Sequence, residues 1–172
     1  VSDWVAIGNH NHATEFAGSF DGLGHKISNL TVSNVKNNDY AGIFGEVAGS
    51  NTFFKNVTLE NFNFQNIDYA SSAGALIGYS ENSITISGIT VINATFASTG
   101  GDGNNSIGGV IGHINNGATI TNCDVTMNID GQSNDYAGGI VGYSDGNVNI
   151  NKANVSITST STSYFNALGG II

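Results

Sequence analysis

The side chains best suited to chemistry in this chain are few and scattered. His10 and His12 lie near Asp3 and Glu15, and imidazoles with carboxylates are zinc-ligand types. A metal site needs several ligands converging at fixed geometry, and a His-Asn-His loop arises easily without one. The acids are scattered rather than paired. Glycoside hydrolysis requires two carboxylates about 5 to 10 Å apart across a groove. Only the stacking of distant segments would bring Asp39 to Asp68, or Asp102 to Asp135. A polysaccharide lyase would call for a basic residue to take the proton and offset substrate charge, and the chain contains no Arg. Gly100-Gly101-Asp102-Gly103-Asn104-Asn105 has the composition of a calcium-binding nonapeptide turn. That motif works in tandem, with successive turns sharing an ion, and here it occurs once. The single Cys123 can close no internal disulfide and builds no zinc site. The expectation is no catalytic residue, no cofactor and no metal.

The chemistry that recurs is aromatic. Asn38-Asp39-Tyr40-Ala41-Gly42 returns as Asn134-Asp135-Tyr136-Ala137-Gly138, and Tyr69 and Tyr164 lie in comparable stretches. Exposed rings along one edge supply contact area with a polar handle, which suits stacking on sugars or docking a protein. The alternative is that each ring packs over its turn and shields backbone hydrogen bonds. Tyr40 and Tyr136, with the adjacent Asp39 and Asp135, are therefore the candidate ligand-binding residues. His113 occupies the same repeat position as Tyr79 and Tyr143 and reads as a stacked ring. His25, in Asp21-Gly22-Leu23-Gly24-His25, reads as a turn residue.

A repeat must position these groups. Tyr40-Ala41-Gly42-Ile43-Phe44-Gly45 returns as Ala73-Gly74-Ala75-Leu76-Ile77-Gly78, as Ile107-Gly108-Gly109-Val110-Ile111-Gly112 and as Ala137-Gly138-Gly139-Ile140-Val141-Gly142. Leu168-Gly169-Gly170-Ile171-Ile172 begins a fifth copy. The closing glycines are 33, 34 and 30 residues apart. A second block reads Ile27-x-x-Leu30-x-Val32, Phe54-x-x-Val57-x-Leu59, Ile86-x-x-Ile89-x-Val91, Ile120-x-x-Cys123-x-Val125 and Ile150-x-x-Ala153-x-Val155. The 2-residue step is that of a strand. The 3-residue step inserts one residue, and a turn or bulge there keeps both apolar neighbours inside. The residue before the second apolar position is Asn29, Asn56, Gly88, Asn122 or Lys152. Asn and Gly suit a left-handed turn; Lys152 does not, so strain or a shifted turn is expected there. Leu30, Val57, Ile89, Cys123 and Ala153 then form one core column.

Short strands broken by Gly, Asn, Ser and Asp, without long crossovers, predict a β-solenoid in which stacked units share one core. Gly138-Gly139-Ile140-Val141-Gly142-Tyr143 and Thr119-Ile120-Thr121-Asn122-Cys123-Asp124-Val125 resemble the GLUG-type repeats of bacterial secreted and surface proteins, adhesins and surface-anchored proteases among them. The lead-in Trp4-Val5-Ala6-Ile7-Gly8-Asn9, followed by Phe16 to Leu30, resembles the usual opening of such arrays. The resemblance runs from about Trp4 to the last residue. It implies a right-handed parallel β-helix of about five coils, one domain over 1–172, with a lead-in and first coil over 1–40 and tandem Gly-rich repeats over 41–172. It also implies a place in a longer surface protein, and a catalytic domain, where there is one, separate from the repeats.

Composition narrows the partners. The 172 residues include 24 Gly, 25 Asn and no Pro, and only 10% are charged, against roughly 25% in an ordinary domain. A net charge of −9 disfavours nucleic acid, whose binding rests on Lys and Arg at phosphates, and anionic membranes. No apolar run is long enough to span a bilayer, and no outward Thr column repeats through all units as ice binding would need. The expectation is a non-catalytic stalk or adhesin segment, secreted or on a bacterial cell surface. Its expected partners are a glycan, a host or neighbour-cell surface protein, or adjacent repeats stacked end to end. A carbohydrate-binding module is the alternative, with a carbohydrate-active enzyme or a filament subunit behind it.

Overall fold

The computed structural model describes residues 3–8, 14–36, 39–99, 104–131, 135–161 and 165–172. The first coil contains β1 (Phe20–Ser28), β2 (Thr31–Val32), β3 (Tyr40–Ala41) and β4 (Phe44–Val47). The second contains β5 (Thr52–Glu60), β6 (Asn63–Ile67), β7 (Ser72–Gly74) and β8 (Ile77–Ser80). The third runs through β9 (Ile84–Ser98), β10 (Ser106–Gly108) and β11 (Ile111–Ile114), and the fourth through β12 (Ala118–Asp130), β13 (Tyr136–Gly138) and β14 (Val141–Ser144). β15 (Val148–Ser159) and β16 (Ala167–Gly169) follow. Every strand pair is parallel. The strands stack as a β-solenoid of about four turns.

Three sheets wall the core. The long one runs β1-β5-β9-β12-β15 with β2 and β6 alongside; the others run β16-β13-β10-β7-β3 and β14-β11-β8-β4. The long strands alternate as their sequence demands. Phe54, Ile86 and Ile120 point inward in one register, and Leu59, Val91 and Val125 in another. Between them the chain turns through left-handed residues: Asn56 (φ 57°), Gly88 (64°), Asn122 (54°) and Lys152 (58°). The inserted residue restores the inward direction, so Val57, Ile89 and Cys123 are buried one above the other, with Ala153 half-buried at the end. Lys152 does not shift its turn. It adopts the backbone of its neighbours in the stack and carries the side-chain clash that Asn and Gly largely avoid.

The first coil departs from the expected register. Ile27 pairs with Leu59 rather than Phe54, and His25 is the residue opposite Val57. Leu30 is buried further along, where its carbonyl accepts from Asn63 N. The same three-residue step occurs at two corners of a coil, and Ile27-x-x-Leu30 belongs to the second. That corner is marked by Asn29 (φ 60°), Asn61 (54°) and Asn93 (55°). The Asn61 amide donates to Asn29 Oδ1 at 3.2 Å. β12 lacks this corner: its register against β9 slips between Val125 and Met127, passing over one residue. The coil is correspondingly shorter.

Candidate functional site

Each Gly-rich element supplies one strand to each of the two short sheets, and glycine sets how closely those sheets meet. A Cβ on Gly78 would lie 2.5 Å from Ala41 N, one on Gly112 2.6 Å from Ala73 N, and one on Gly142 2.5 Å from Ile107 N. Real Cβ atoms do not approach backbone so closely, so the backbone of each coil rests directly on that of the coil before it. Tyr79, His113 and Tyr143, each following one of these glycines, share a register column with Glu46. In the other short sheet Tyr40, Ser72, Ser106 and Tyr136 share a column, with Ala167 after them.

The close approach joins the rings of the two columns into one row. Tyr40 stacks on Tyr79 with centroids 4.6 Å apart and planes at 14°. Tyr79 meets His113 edge-on at 5.1 Å, and His113 meets Tyr143 edge-on at 5.0 Å. Tyr143 then contacts Tyr136 at 5.1 Å. Asp145 anchors the far end: its Oδ2 lies 2.9 Å from His113 Nε2, and Tyr143 Oη donates to its Oδ1 at 3.2 Å. That carboxylate raises the Tyr143 phenol above its usual range. Burial, with Tyr79 and then Glu46 and Glu81 nearby, pushes Tyr40 up to about 12.

Tyr40 and Tyr136 thus stand in one column, three strand steps apart, about 14 Å at the usual spacing. Between them the column holds only Ser72 and Ser106. The result is an open trough of about 320 Å³ lined by Ser72, Ser106, Asn104, His113, Tyr136 and Tyr143. Tyr40 and Asp39 line a separate cleft of about 290 Å³ with Trp4, whose indole Nε1 donates to Gly42 O at 3.0 Å.

The two aspartates have other surroundings. Asp39, Ser71, Asn105 and Asp135 each precede a strand of the Tyr40–Tyr136 sheet and form a polar corner. Asp39 N donates to Ser71 Oγ, Ser71 N to Asn105 Oδ1, and the Asn105 amide to Asp135 Oδ1 at 2.8 Å. Asp135 is fully buried, so its carboxylate holds the corner and does not reach a ligand beside Tyr136. Asp39 accepts from its neighbour's backbone, Tyr40 N, at 2.9 Å. Asp68 is buried and accepts from Tyr69 N. His10, His12, Gly100 to Gly103 (with Asp102) and Tyr164 lie outside the described residues. Among the described residues no group of three or more His, Cys, Asp or Glu is placed to hold a metal ion. Cys123 is a core residue, and burial pushes its thiol up to about 11.

Sequence reasoning passed over Ser72, Ser106, Asn104 and Asp145. A signal for the serines was present: aligned on the Gly-rich element, the position two residues before its first Gly reads Tyr40, Ser72, Ser106, Tyr136.

These features define a β-solenoid, and residues 103–130 match the GLUG motif. Over 142 residues the chain is 32% identical to Halomucin of Haloquadratum walsbyi; that stretch is 82% of this chain and 2% of the relative. The chain therefore spans a very small part of a much longer protein that it resembles. That relative is archaeal, so the comparison lends no support to the expected bacterial origin. No solved structure matches the chain.

Proposed function

We propose that this chain is a non-catalytic structural segment of a very large secreted or cell-surface protein, acting as a stalk between or beneath other modules. The observation that carries the reading is the continuity of the sheets from coil to coil. Three parallel sheets run through successive coils over one apolar core, so tension along the axis is shared by many backbone hydrogen bonds at once. The repeat architecture adds coils without new design. A net charge of −9 keeps neighbouring rods apart and hydrated. Similarity to a small part of Halomucin supports the surface setting.

The test is protease shaving of intact cells that make the parent protein, followed by peptide mass spectrometry. Peptides of this segment should be released while cytosolic markers stay inside; their appearance only after lysis would sink the surface reading. An adhesin role is the second reading, favoured by the row of rings on one face, which a plain spacer does not need.

A further inference from the structure

The trough across coils two to four points to a particular ligand chemistry, and this inference rests on the adhesin reading above. We propose that the trough lined by Ser72, Asn104, Ser106, His113, Tyr136 and Tyr143 binds neutral pyranosides of a glycan chain. Three observations converge on that class. Rings crowd one side of the trough and Tyr136 closes one end, and an aromatic face packs against the C–H face of a sugar as it does against other apolar groups. The floor and rim supply Ser72 and Ser106 hydroxyls and the exposed Asn104 amide, groups that both donate and accept and so match sugar hydroxyls. No lysine lines the trough, the chain has no Arg, and Asp145 stands behind His113 and Tyr143. A uronate, sialate or sulfate would find no lysine or arginine there to pair with.

The shape fits the same class. Two serines beside Tyr136 make a narrow recess, flanked by His113 and Tyr143, rings that are already held by one another and by Tyr136. Such a preformed recess takes one or two sugar rings with little ordering cost. A flat protein partner would need a broader apolar surface than this one offers.

The experiment is affinity electrophoresis of the 172-residue chain through gels containing neutral dextran, galactomannan or laminarin, with polygalacturonate and dextran sulfate in parallel. Saturation-transfer NMR with methyl glucoside, galactoside and mannoside serves as the second readout. Retention by at least one neutral polymer is expected, with at least tenfold weaker binding for Tyr136→Ala and for His113→Ala. Phe53→Ala, on the long sheet, should bind as the unmodified chain does, and thermal melts identify any variant that has lost its fold. Should a ring variant unfold, Asn104→Ala at the rim gives the same test, with several-fold weakening expected. Absence of binding to every polymer overturns this proposal, whereas the adhesin reading falls only if the folded chain also fails to bind intact cells. Neutral-glycan binding that folded trough variants leave intact overturns the site alone. Preference for the anionic polymers overturns the ligand class.

Discussion

The two short sheets and the long sheet solve the same stacking problem differently. On the long sheet the outward columns are short and mostly polar: Phe53, Thr85, Thr119 and Asn149 in one, Lys55, Ser87, Thr121 and Asn151 in another. Its charges pair locally, Lys26 with Glu60 at 2.9 Å and Lys55 with Asp21 at 3.3 Å. On the short sheets glycine removes the side chains at the crossing, and the flanking positions gather the rings of different coils into one row. One face is thus a solvated wall that tolerates change. The other is a contact of backbone on backbone whose by-product is a surface feature. Tightness of packing, rather than exposure, separates the face with a candidate site from the face without one.

Breaking that contact should have the largest effect. Gly112→Ala places a Cβ 2.6 Å from both Ala73 N and Gly78 O, and neither atom can yield without parting strands. We expect a loss of about 3 kcal/mol or more, as for severe overpacking in a core, seen in urea unfolding. Thr119→Ala, exposed on the long sheet, should stay within about 0.5 kcal/mol. Equal losses at the two sites would erase the distinction between the faces.

The polar corner comes next. Asn105→Ala removes the amide that joins Ser71 N to the Asp135 carboxylate, leaving buried polar groups without that partner at a cost of about 2 kcal/mol or more. An unchanged denaturation midpoint would mean that water replaces the amide there. The ring face should also be sensitive to alkali. Tyr40 ionises near 12 when folded but near 10 when unfolded. Its contribution is complete below pH 10 and is lost as pH rises towards 12, because the unfolded chain releases the proton first. Tyr40→Phe should flatten that part of the stability profile, read as thermal midpoint against pH.

The smaller effects test the turns and the core column. Lys152→Asn places a residue suited to positive φ where φ is 58° and should stabilise by about 0.5–1 kcal/mol. Lys152→Ala, which keeps the clash, should not. The buried Cys123 thiol, raised to about 11, should resist Ellman's reagent in the native protein and react on unfolding. Rapid labelling under native conditions would contradict its place in the column of Val57 and Ile89.

Much of this was legible in the residues themselves. The alternation around Ile86 and Ile120, the extra residue at Asn56, Gly88 and Asn122, and the Gly-rich element all state their geometry locally. A left-handed turn selects Asn or Gly, and an inward position selects an apolar side chain. The register of coil one was not legible, because Ile27-x-x-Leu30 satisfies either of two corners and only the pairing of Ile27 with Leu59 distinguishes them. Asp39 does lie at the surface beside Tyr40, whereas Asp135 is buried, since sequence neighbours in a loop do not announce which of them turns inward.

The sequence by itself determined the repeat and, from coil two onward, the left-handed turn and the column of Val57, Ile89, Cys123 and Ala153, because those depend on local sterics and on burial of every second side chain. Only the tertiary structure decided that Tyr40 would stack on Tyr79, that Asp135 would be sealed into a corner by Asn105, and that two serines would open a trough before Tyr136. Those outcomes join residues some 30 positions apart in the chain. They depend on how closely one coil's backbone settles on the last, and that distance is set by all the coils together.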